Sequence, residues 1–222
     1  MNILYDTYMK EINILKSNMN TRAIILVGSS KDKDFTKGDC KINDIDIFVI
    51  VEKQNVDQIR EMKTVNNIEF DINFISIEGS QNLIKNKTYF FLKVKDGNLI
   101  YDIDNTGEEI MKLCEKVYNE GPEKLSSKEK VFMLNELKSD ILKLREKNNF
   151  DDFEYDFLIN LYLIKAIRLY FITNDKWLPK DKKLLKSLKK EDCTFYEKVF
   201  LVQGENKLEY LLKIVDNLYD YL

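Results

Sequence analysis

Residues 22–30 read RAIILVGSS and residues 43–52 read NDIDIFVIVE, and these two stretches decide the fold. The first is a short apolar run that ends at Gly-Ser-Ser, which is typical of a buried strand followed by a turn. The second starts with alternating Asp and Ile and continues as an apolar run, which indicates a second strand. A third strand is indicated by IEFDINFIS at 68–76, and the polar segment 31–43 is predicted to be a loop.

Helical patterns surround these strands in the first half of the chain. Residues 3–18 carry apolar side chains at three- and four-residue steps, which predicts an amphipathic helix. Residues 55–64 and 77–86 are also predicted to be helical, and residues 98–101 to form a further short strand. Strands that alternate with helices indicate an α/β layer arrangement.

The second half predicts helices only. Gly121 and Pro122 interrupt the chain, and Ser126 with Glu129 three residues later predicts a capping box for a helix that runs to about Lys147. A helix at 151–173 is apolar around much of its circumference, which predicts the central helix of a bundle. Further helices are predicted at 180–190, 194–202 and 205–221. We therefore expect two domains, residues 1–120 and an all-α helical bundle at residues 121–222.

Composition excludes several classes of function. The 222 residues include no His, which removes Ser-His-Asp triads, Cys-His dyads, His-ligated zinc and imidazole bases. The three Cys form no CxxC pair, which argues against a disulfide framework or a thiolate metal site. The net charge of −3 does not favour a nucleic-acid partner. With charges inside its N-terminal apolar run and no stretch of about 18 apolar residues, the chain is expected to be cytoplasmic, with no membrane partner.

Acidic side chains are predicted to gather on one face of the sheet. Because alternate residues of a strand share a face, Asp44 and Asp46 point the same way, with α-carbons about 6.6 Å apart. Glu69, Asp71 and Asn73 share a face of the next strand. If the two strands are neighbours, the carboxylates converge and need a cation, and hard oxygen ligands of this kind suit Mg²⁺.

The turn after the first strand offers a site for an anion. A strand that ends in Gly28-Ser29-Ser30 and enters a helical turn presents backbone N–H groups and a hydroxyl to an anion such as a triphosphate. Lys31 is the nearest cation, and is equally well explained as an ordinary loop lysine. The chain thus combines an anion cradle, a carboxylate pair and a third carboxylate.

This combination resembles the DNA polymerase β-like nucleotidyltransferase superfamily. The matching segments are LVGS at 26–29, NDIDIFV at 43–49 and FDINF at 70–74. The helical half resembles that of the aminoglycoside and lincosamide nucleotidyltransferases, and KWLP at 176–179 is similar to a motif of that half. The chain departs from the pattern in its longer spacer after the Gly-Ser pair and in lacking the Arg-Gly that often follows it.

The resemblance implies an α/β (α+β) nucleotidyltransferase domain with a small mixed sheet flanked by helices, joined to the helical-bundle domain, with the active site between them. It implies transfer of a nucleoside monophosphate from an NTP to a hydroxyl, with release of pyrophosphate, and two Mg²⁺ ions. Asp44 and Asp46 would bridge the ions, and Asp71 would hold the ion that activates the hydroxyl and accept its proton. Nucleotide contacts would come from Gly28, Ser29, Ser30, Lys31 and Lys165.

The acceptor implied by the helical half is a small molecule such as an aminoglycoside- or lincosamide-like antibiotic. Three alternatives stay open: transfer to a protein hydroxyl, transfer to a tRNA end docked on the lysine-rich stretch 180–190, and a degenerate nucleotide-binding scaffold. The acceptor base is either Asp71 or an acid of the helical half such as Glu154 or Asp156. The preferred NTP and a homodimeric state are left undecided.

Overall fold

The computed structural model describes residues 2–37, 40–42, 44–204 and 206–222. The chain divides into two compact units, Met1–Glu120 and Gly121–Leu222. The strands, all in the first unit, are β1 (Thr21–Val27), β2 (Asp44–Val51), β3 (Gln58–Val65), β4 (Ile68–Ser76) and β5 (Asn98–Asp102). The helices of the first unit are α1 (Ile3–Ser17), α2 (Ile77–Lys85), α3 (Tyr89–Leu92) and α4 (Thr106–Glu120), with a 3₁₀ turn at Lys93–Asp96.

The five strands form one mixed sheet in the order β3-β4-β2-β1-β5. Strands β2 and β4 are parallel, and every other neighbouring pair is antiparallel. The predicted fold class, a small mixed sheet flanked by helices with a helical C-terminal region, is confirmed.

The two faces of the sheet are covered differently. Helix α1 packs Tyr8, Ile12 and Leu15 on the face formed by the odd-numbered residues of β2 and the even-numbered residues of β4. On the opposite face Phe48 contacts Phe90 and Phe91, so the C-terminal half of β2 is buried there too. The N-terminal half of β2 on that second face carries Asp44 and Asp46 and remains partly exposed. We call this half of the second face, with the matching part of β4, the acid face.

The helix predicted for residues 55–64 is wrong, since Gln58–Val65 form strand β3 at the edge of the sheet. A two-residue turn of Asn66 and Asn67, with φ angles of 51° and 62°, joins β3 to β4. Two consecutive residues with positive φ match the twist of a hairpin, and Asn tolerates this conformation better than most residues. The turn chemistry thus outweighs the weak helical pattern of 55–64.

Among the residues described, the regular elements of the second unit are all helices. Its helices are α5 (Ser127–Lys143), α6 (Asp152–Thr173), α7 (Leu184–Glu191), α8 (Cys193–Leu201) and α9 (Lys207–Leu218), with 3₁₀ turns at Lys147–Asn149, Asp181–Lys183 and Tyr219–Tyr221. The predicted capping box of Ser126 and Glu129 is present, and Asp151 forms another with Glu154. Of the apolar side chains that predict a central position for α6, Ile167, Leu169 and Phe171 are buried, whereas Phe157 and Ile164 are exposed.

Over the described parts of the chain, no helix combines the length and the apolar character that crossing a bilayer requires.

Candidate active site

The parallel pairing of β2 and β4 brings the predicted acids together on the acid face. Asp46 is the register partner of Asp71, and Asp44 is the partner of Glu69. Register partners in adjacent strands point to the same face with α-carbons about 4.8 Å apart. Asp44, Asp46 and Asp71 are all partly buried, and Glu69 is exposed. The condition set by the sequence, that the two acid-bearing strands be neighbours, is therefore met.

Gly28 lies directly against the carboxylate of Asp46. It follows the last residue of β1, whose Val27 is the register partner of Asp46, and its φ is +74°. A Cβ placed on Gly28 would lie 2.0 Å from Oδ2 of Asp46 and 2.9 Å from its Cγ. Glycine is required here for its left-handed backbone and for the missing side chain, because any other residue would displace the carboxylate.

Asp71 is held by an arginine that the sequence patterns did not single out. Nε of Arg60 donates to Oδ1 of Asp71 at 2.7 Å, and its Nη2 donates to Oδ2 at 2.8 Å. Arg60 lies on edge strand β3, and its side chain is 55% exposed while that of Asp71 is 16% exposed. The pKa of the Arg60 guanidinium is raised above its usual range by the hydrogen bond to Asp71 and by the charges of Asp71, Asp46 and Glu69. Arg60 therefore remains a cation at any physiological pH.

An amide network extends this ion pair along the strands. Nδ2 of Asn73 donates to Oδ1 of Asp71 at 3.3 Å, and Nε2 of Gln58 donates to Oδ1 of Asn73 at 2.7 Å. Asn73 is buried, so its amide is held in place by its two partners. Together, Arg60 and Asn73 fix the orientation of the Asp71 carboxylate.

The donor set of the acid face is of the chemical type that a hard divalent cation takes, but two features of its arrangement oppose metal binding. Asp44, Asp46 and Asp71 supply oxygen ligands from neighbouring strands, and Gly28 leaves the space beside Oδ2 of Asp46 free of a side chain. In the described residues, however, no three His, Cys, Asp or Glu side chains stand close enough together to hold a metal ion. Both oxygens of Asp71 are already bound to Arg60. As arranged here, these carboxylates are of the chemical type that Mg²⁺ takes but do not form a metal site.

The turn after β1 matches only part of its predicted role. Residues 28–37 form successive turns instead of the helical turn that was predicted, so no helix dipole faces an anion here. Ser29 is exposed, whereas Ser30 is 1% exposed and its Oγ donates to the carbonyl of Val27 at 3.3 Å. Ser30 thus stabilises the turn, and Ser29 is the serine of this turn that faces solvent.

Lys31 is bound within its own unit. Its Nζ donates to the carbonyl oxygen of Asp96 at 2.5 Å and lies 3.7 Å from Oδ1 of Asp32. Asn98 donates to the backbone carbonyl of Lys31. These contacts fasten the turn to the start of β5, which gives Lys31 a structural role in this structure.

The candidates of the helical half belong to the second unit. Lys165 is exposed on α6, and its Nζ lies 5.1 Å from the centre of the Tyr162 ring in a cation–π contact. Glu154 completes the N-terminal capping box of α6. Asp156 forms an ion pair with Lys207 at 2.8 Å. The two acids therefore have structural roles that account for their positions.

Sequence reasoning missed Arg60 and Gln58, because residues 55–64 were assigned to a helix, and it placed Asn73 on the face of Asp71 without giving it a role. The signal that points to them is the Asn66-Asn67 pair between two runs of strand-forming residues, which predicts a hairpin. Pairing β3 with β4 across that turn places Arg60 opposite Asn73, two residues from Asp71.

Comparisons with known proteins agree with this architecture. No protein-family model matches the chain, and no curated protein matches it. Among solved structures, the chain is similar to the crystal structure of a nucleotidyltransferase-like protein from Exiguobacterium sibiricum, with a TM-score of 0.50 and 13% sequence identity. The match covers 99% of this chain and 74% of that one. The chain therefore has a nucleotidyltransferase-like α+β fold.

Proposed function

We propose that this protein is a Mg²⁺-dependent nucleotidyltransferase that moves a nucleoside monophosphate from an NTP to a hydroxyl group of a small molecule. The observation that carries the proposal is the shared register of Asp46 and Asp71 on adjacent parallel strands, with Asp44 on the same face and Gly28 against Asp46. The fold shared with a nucleotidyltransferase-like protein supports it. The sequence resemblance of the helical half favours an acceptor of the aminoglycoside or lincosamide class.

In the proposed reaction an acceptor oxygen forms a bond to the α-phosphorus of the NTP, and the α–β phosphoanhydride bond breaks to release pyrophosphate. The hydroxyl proton passes to a carboxylate, for which Asp71 is the candidate. Asp44 and Asp46 would hold the cations, and Gly28 leaves room for the carboxylate of Asp46. When bound, Mg²⁺ neutralises charge on the attacking and leaving oxygens. This reaction needs no histidine, because carboxylates would supply both the cation ligands and the proton acceptor.

The first test is calorimetric titration of the full chain with ATP, CTP, GTP and UTP, with and without Mg²⁺. We expect Mg²⁺-dependent binding of at least one NTP that is lost in the variant Asp44→Asn/Asp46→Asn. The matched control is Glu109→Gln/Glu115→Gln, which removes two exposed negative charges from α4 of the same unit. If the wild type binds no NTP, or if both double variants bind like the wild type, the proposal is refuted.

A panel of candidate acceptors then tests which class of compound receives the nucleoside monophosphate. Release of pyrophosphate from the NTP that binds, measured with a panel of aminoglycosides and lincosamides, is expected for at least one compound. Pyrophosphate release only with protein or tRNA acceptors would assign the enzyme to a different acceptor class.

The second candidate function is nucleotide binding without transfer. One observation favours it: both oxygens of Asp71 are bound to Arg60, so the carboxylate proposed to accept a proton is occupied. This candidate predicts Mg²⁺-dependent NTP binding with no pyrophosphate release for any acceptor. It also predicts that Asp71→Asn leaves NTP binding unchanged. The transferase, in contrast, requires Asp71 as proton acceptor for the release of pyrophosphate.

A further inference from the structure

Strand β3 forms an open edge of the sheet. It stands first in the order β3-β4-β2-β1-β5, and all eight of its residues pair with β4 without a bulge. It contains no proline, so it lacks two of the devices by which proteins keep edge strands from pairing further. Two of its apolar side chains, Ile59 and Met62, are 48% and 57% exposed. An edge of this kind is a template for another strand.

The turn of Asn66 and Asn67 determines which backbone groups of β3 face outward. Val65 and Ile68 flank this two-residue turn, so they share its hydrogen bond and form a hydrogen-bonded pair. Along an antiparallel ladder such pairs alternate with pairs that are not hydrogen-bonded. The odd-numbered residues of β3 therefore direct their N–H and C=O groups toward β4, and the even-numbered residues direct theirs away from the sheet. In the described part of the chain, no backbone group outside the sheet bonds to these even-numbered residues.

We propose that β3 pairs antiparallel with β3 of a second copy of this chain, with Met62 of one copy opposite Met62 of the other. The two sheets would then join into one sheet of ten strands, with both acid faces on the same side. The interface is isologous, since a two-fold axis relates the two copies. Outward-facing residues must lie opposite one another to form hydrogen bonds, so this axis passes through a single residue of β3.

Charge selects the residue on the axis. An axis at Arg60, Glu61 or Lys63 would set two identical charges directly opposite each other, which destabilises a strand pair. With the axis at Met62, Glu61 lies opposite Lys63 of the second copy, and by symmetry this favourable pair occurs twice. An axis nearer to either end of the strand leaves fewer residues paired. Complementarity is therefore best with Met62 at the centre.

The apolar side chains of β3 agree with the same centre. With Met62 on the axis, Ile59 lies opposite Val65 of the second copy, again twice by symmetry, and the two Met62 side chains face each other. Ile59 and Val65 lie on the side of the sheet that α1 covers, and Met62 lies on the side of the acid face. Apolar side chains of the two copies therefore meet on both faces of the joined sheet.

The cations of β3 do not oppose this pairing, because each already has an anionic partner within its own chain. Nζ of Lys63 lies 2.6 Å from Oε2 of Glu11, and Arg60 forms its ion pair with Asp71. The side chain of Glu61 is 48% exposed, with Oε1 3.6 Å from Nζ of Lys63. Glu61 can therefore also face the lysine of a second copy without giving up a buried contact.

Sedimentation velocity of the full chain, from about 1 μM to 1 mM, tests the association. We expect the mass of the wild type to rise toward twice that of one chain. Glu61→Lys is expected to weaken association at least about 10-fold, because the introduced lysine faces Lys63 of the second copy at both pairs. The matched control is Glu109→Lys, the same change at an exposed position of α4, and it is expected to associate like the wild type. Circular dichroism melting checks that both variants fold.

Disulfide formation tests the register. In a Cys40→Ser/Cys193→Ser background, Met62→Cys places the new thiols on the axis, where opposite α-carbons are about 5.5 Å apart, a separation that a disulfide spans. The control Thr64→Cys lies on the same side of β3, but its α-carbon is about 13 Å from that of its counterpart along the strands. Mild oxidation is expected to link Met62→Cys at least about 10-fold faster than Thr64→Cys.

Three results would overturn the proposal: a wild type that stays monomeric up to 1 mM, a Glu61→Lys variant that associates as tightly as Glu109→Lys, or equal rates of linkage for the two cysteine variants. None of these measurements involves a nucleotide. The proposed dimer therefore stands or falls independently of the proposed function.

Discussion

Substitution of Gly28 by Ala tests whether the position of the Asp46 carboxylate matters for metal and nucleotide binding. In the native structure the added Cβ would lie 2.0 Å from Oδ2 of Asp46, whereas ordinary contact begins at 3.4 Å. The carboxylate must therefore move by about 1.4 Å. The backbone adds a cost of about 1–2 kcal/mol, because φ is +74° and an L-residue adopts that conformation with strain.

These two effects predict different losses. The free energy of unfolding is expected to fall by about 1–2 kcal/mol from the backbone term, as measured by urea denaturation. Displacing one ligand by more than 1 Å is expected to weaken Mn²⁺ binding, and with it Mg²⁺-dependent NTP binding, by about 10- to 100-fold. The loss of affinity thus exceeds what the modest loss of stability can explain.

The chain contains a matched control for this experiment. Gly121 has a φ of +84°, and a Cβ placed there would meet no atom within 4 Å. Gly121→Ala therefore carries the same kind of backbone cost without a clash, and Mn²⁺ affinity is expected to be unchanged. If Gly28→Ala binds Mn²⁺ within about 3-fold of Gly121→Ala, the close contact with Asp46 is not a constraint on the site, and the reasoning is refuted.

Further predictions concern stability and reactivity. Ser126→Ala removes the capping box of α5 and is expected to lower the free energy of unfolding by about 1 kcal/mol. Phe171→Ala leaves a cavity at a buried position of α6 and is expected to lower it by about 3–5 kcal/mol. Urea denaturation measures both losses. Burial raises the pKa of the Cys114 thiol to about 12, so at pH 8 iodoacetamide is expected to modify exposed Cys193 and to reach Cys114 only after unfolding, which peptide mass spectrometry checks. Burial and the hydrogen bond to Asp192 raise the pKa of Tyr221 to about 12, so the stability that its neutral hydroxyl contributes is complete below pH 10 and is lost as the pH rises toward 12. In urea denaturation across this pH range, the free energy of unfolding is expected to decline less for Tyr221→Phe than for the wild type.

The apolar patterns of this chain predict most of its helices and strands, because buried side chains recur every two residues in a strand and every three or four residues in a helix. The strands at 22–27, 44–52 and 68–76 and the helix at 3–18 were predicted to within a residue or two of their bounds. The segment 55–64 was assigned wrongly because an exposed edge strand buries few side chains, so no apolar alternation marks it. The Asn66-Asn67 turn was the stronger signal.

In the candidate site, too, the local pattern predicts some features and leaves others to the tertiary structure. Local alternation was enough to place Asp44 with Asp46 and Asp71 with Glu69, each pair on one face of its strand. It could not identify Arg60 as the partner of Asp71, since that contact joins two strands and depends on the register of the hairpin. Nor could it show that Ser30 is buried and Lys31 bound to a backbone carbonyl, because both depend on how the turn packs against neighbouring elements.

By itself, then, the sequence determined what chemistry is available to this protein: carboxylates at fixed spacing, a glycine at the end of a buried strand, and no imidazole anywhere. These features are local, and residue type and strand period are sufficient to define them. Only the tertiary structure decided which groups meet, setting Gly28 against Asp46 and Arg60 on Asp71. The physical reason is that these contacts join residues of different strands, and their geometry is set by strand order and register, which the alternation within one strand does not encode.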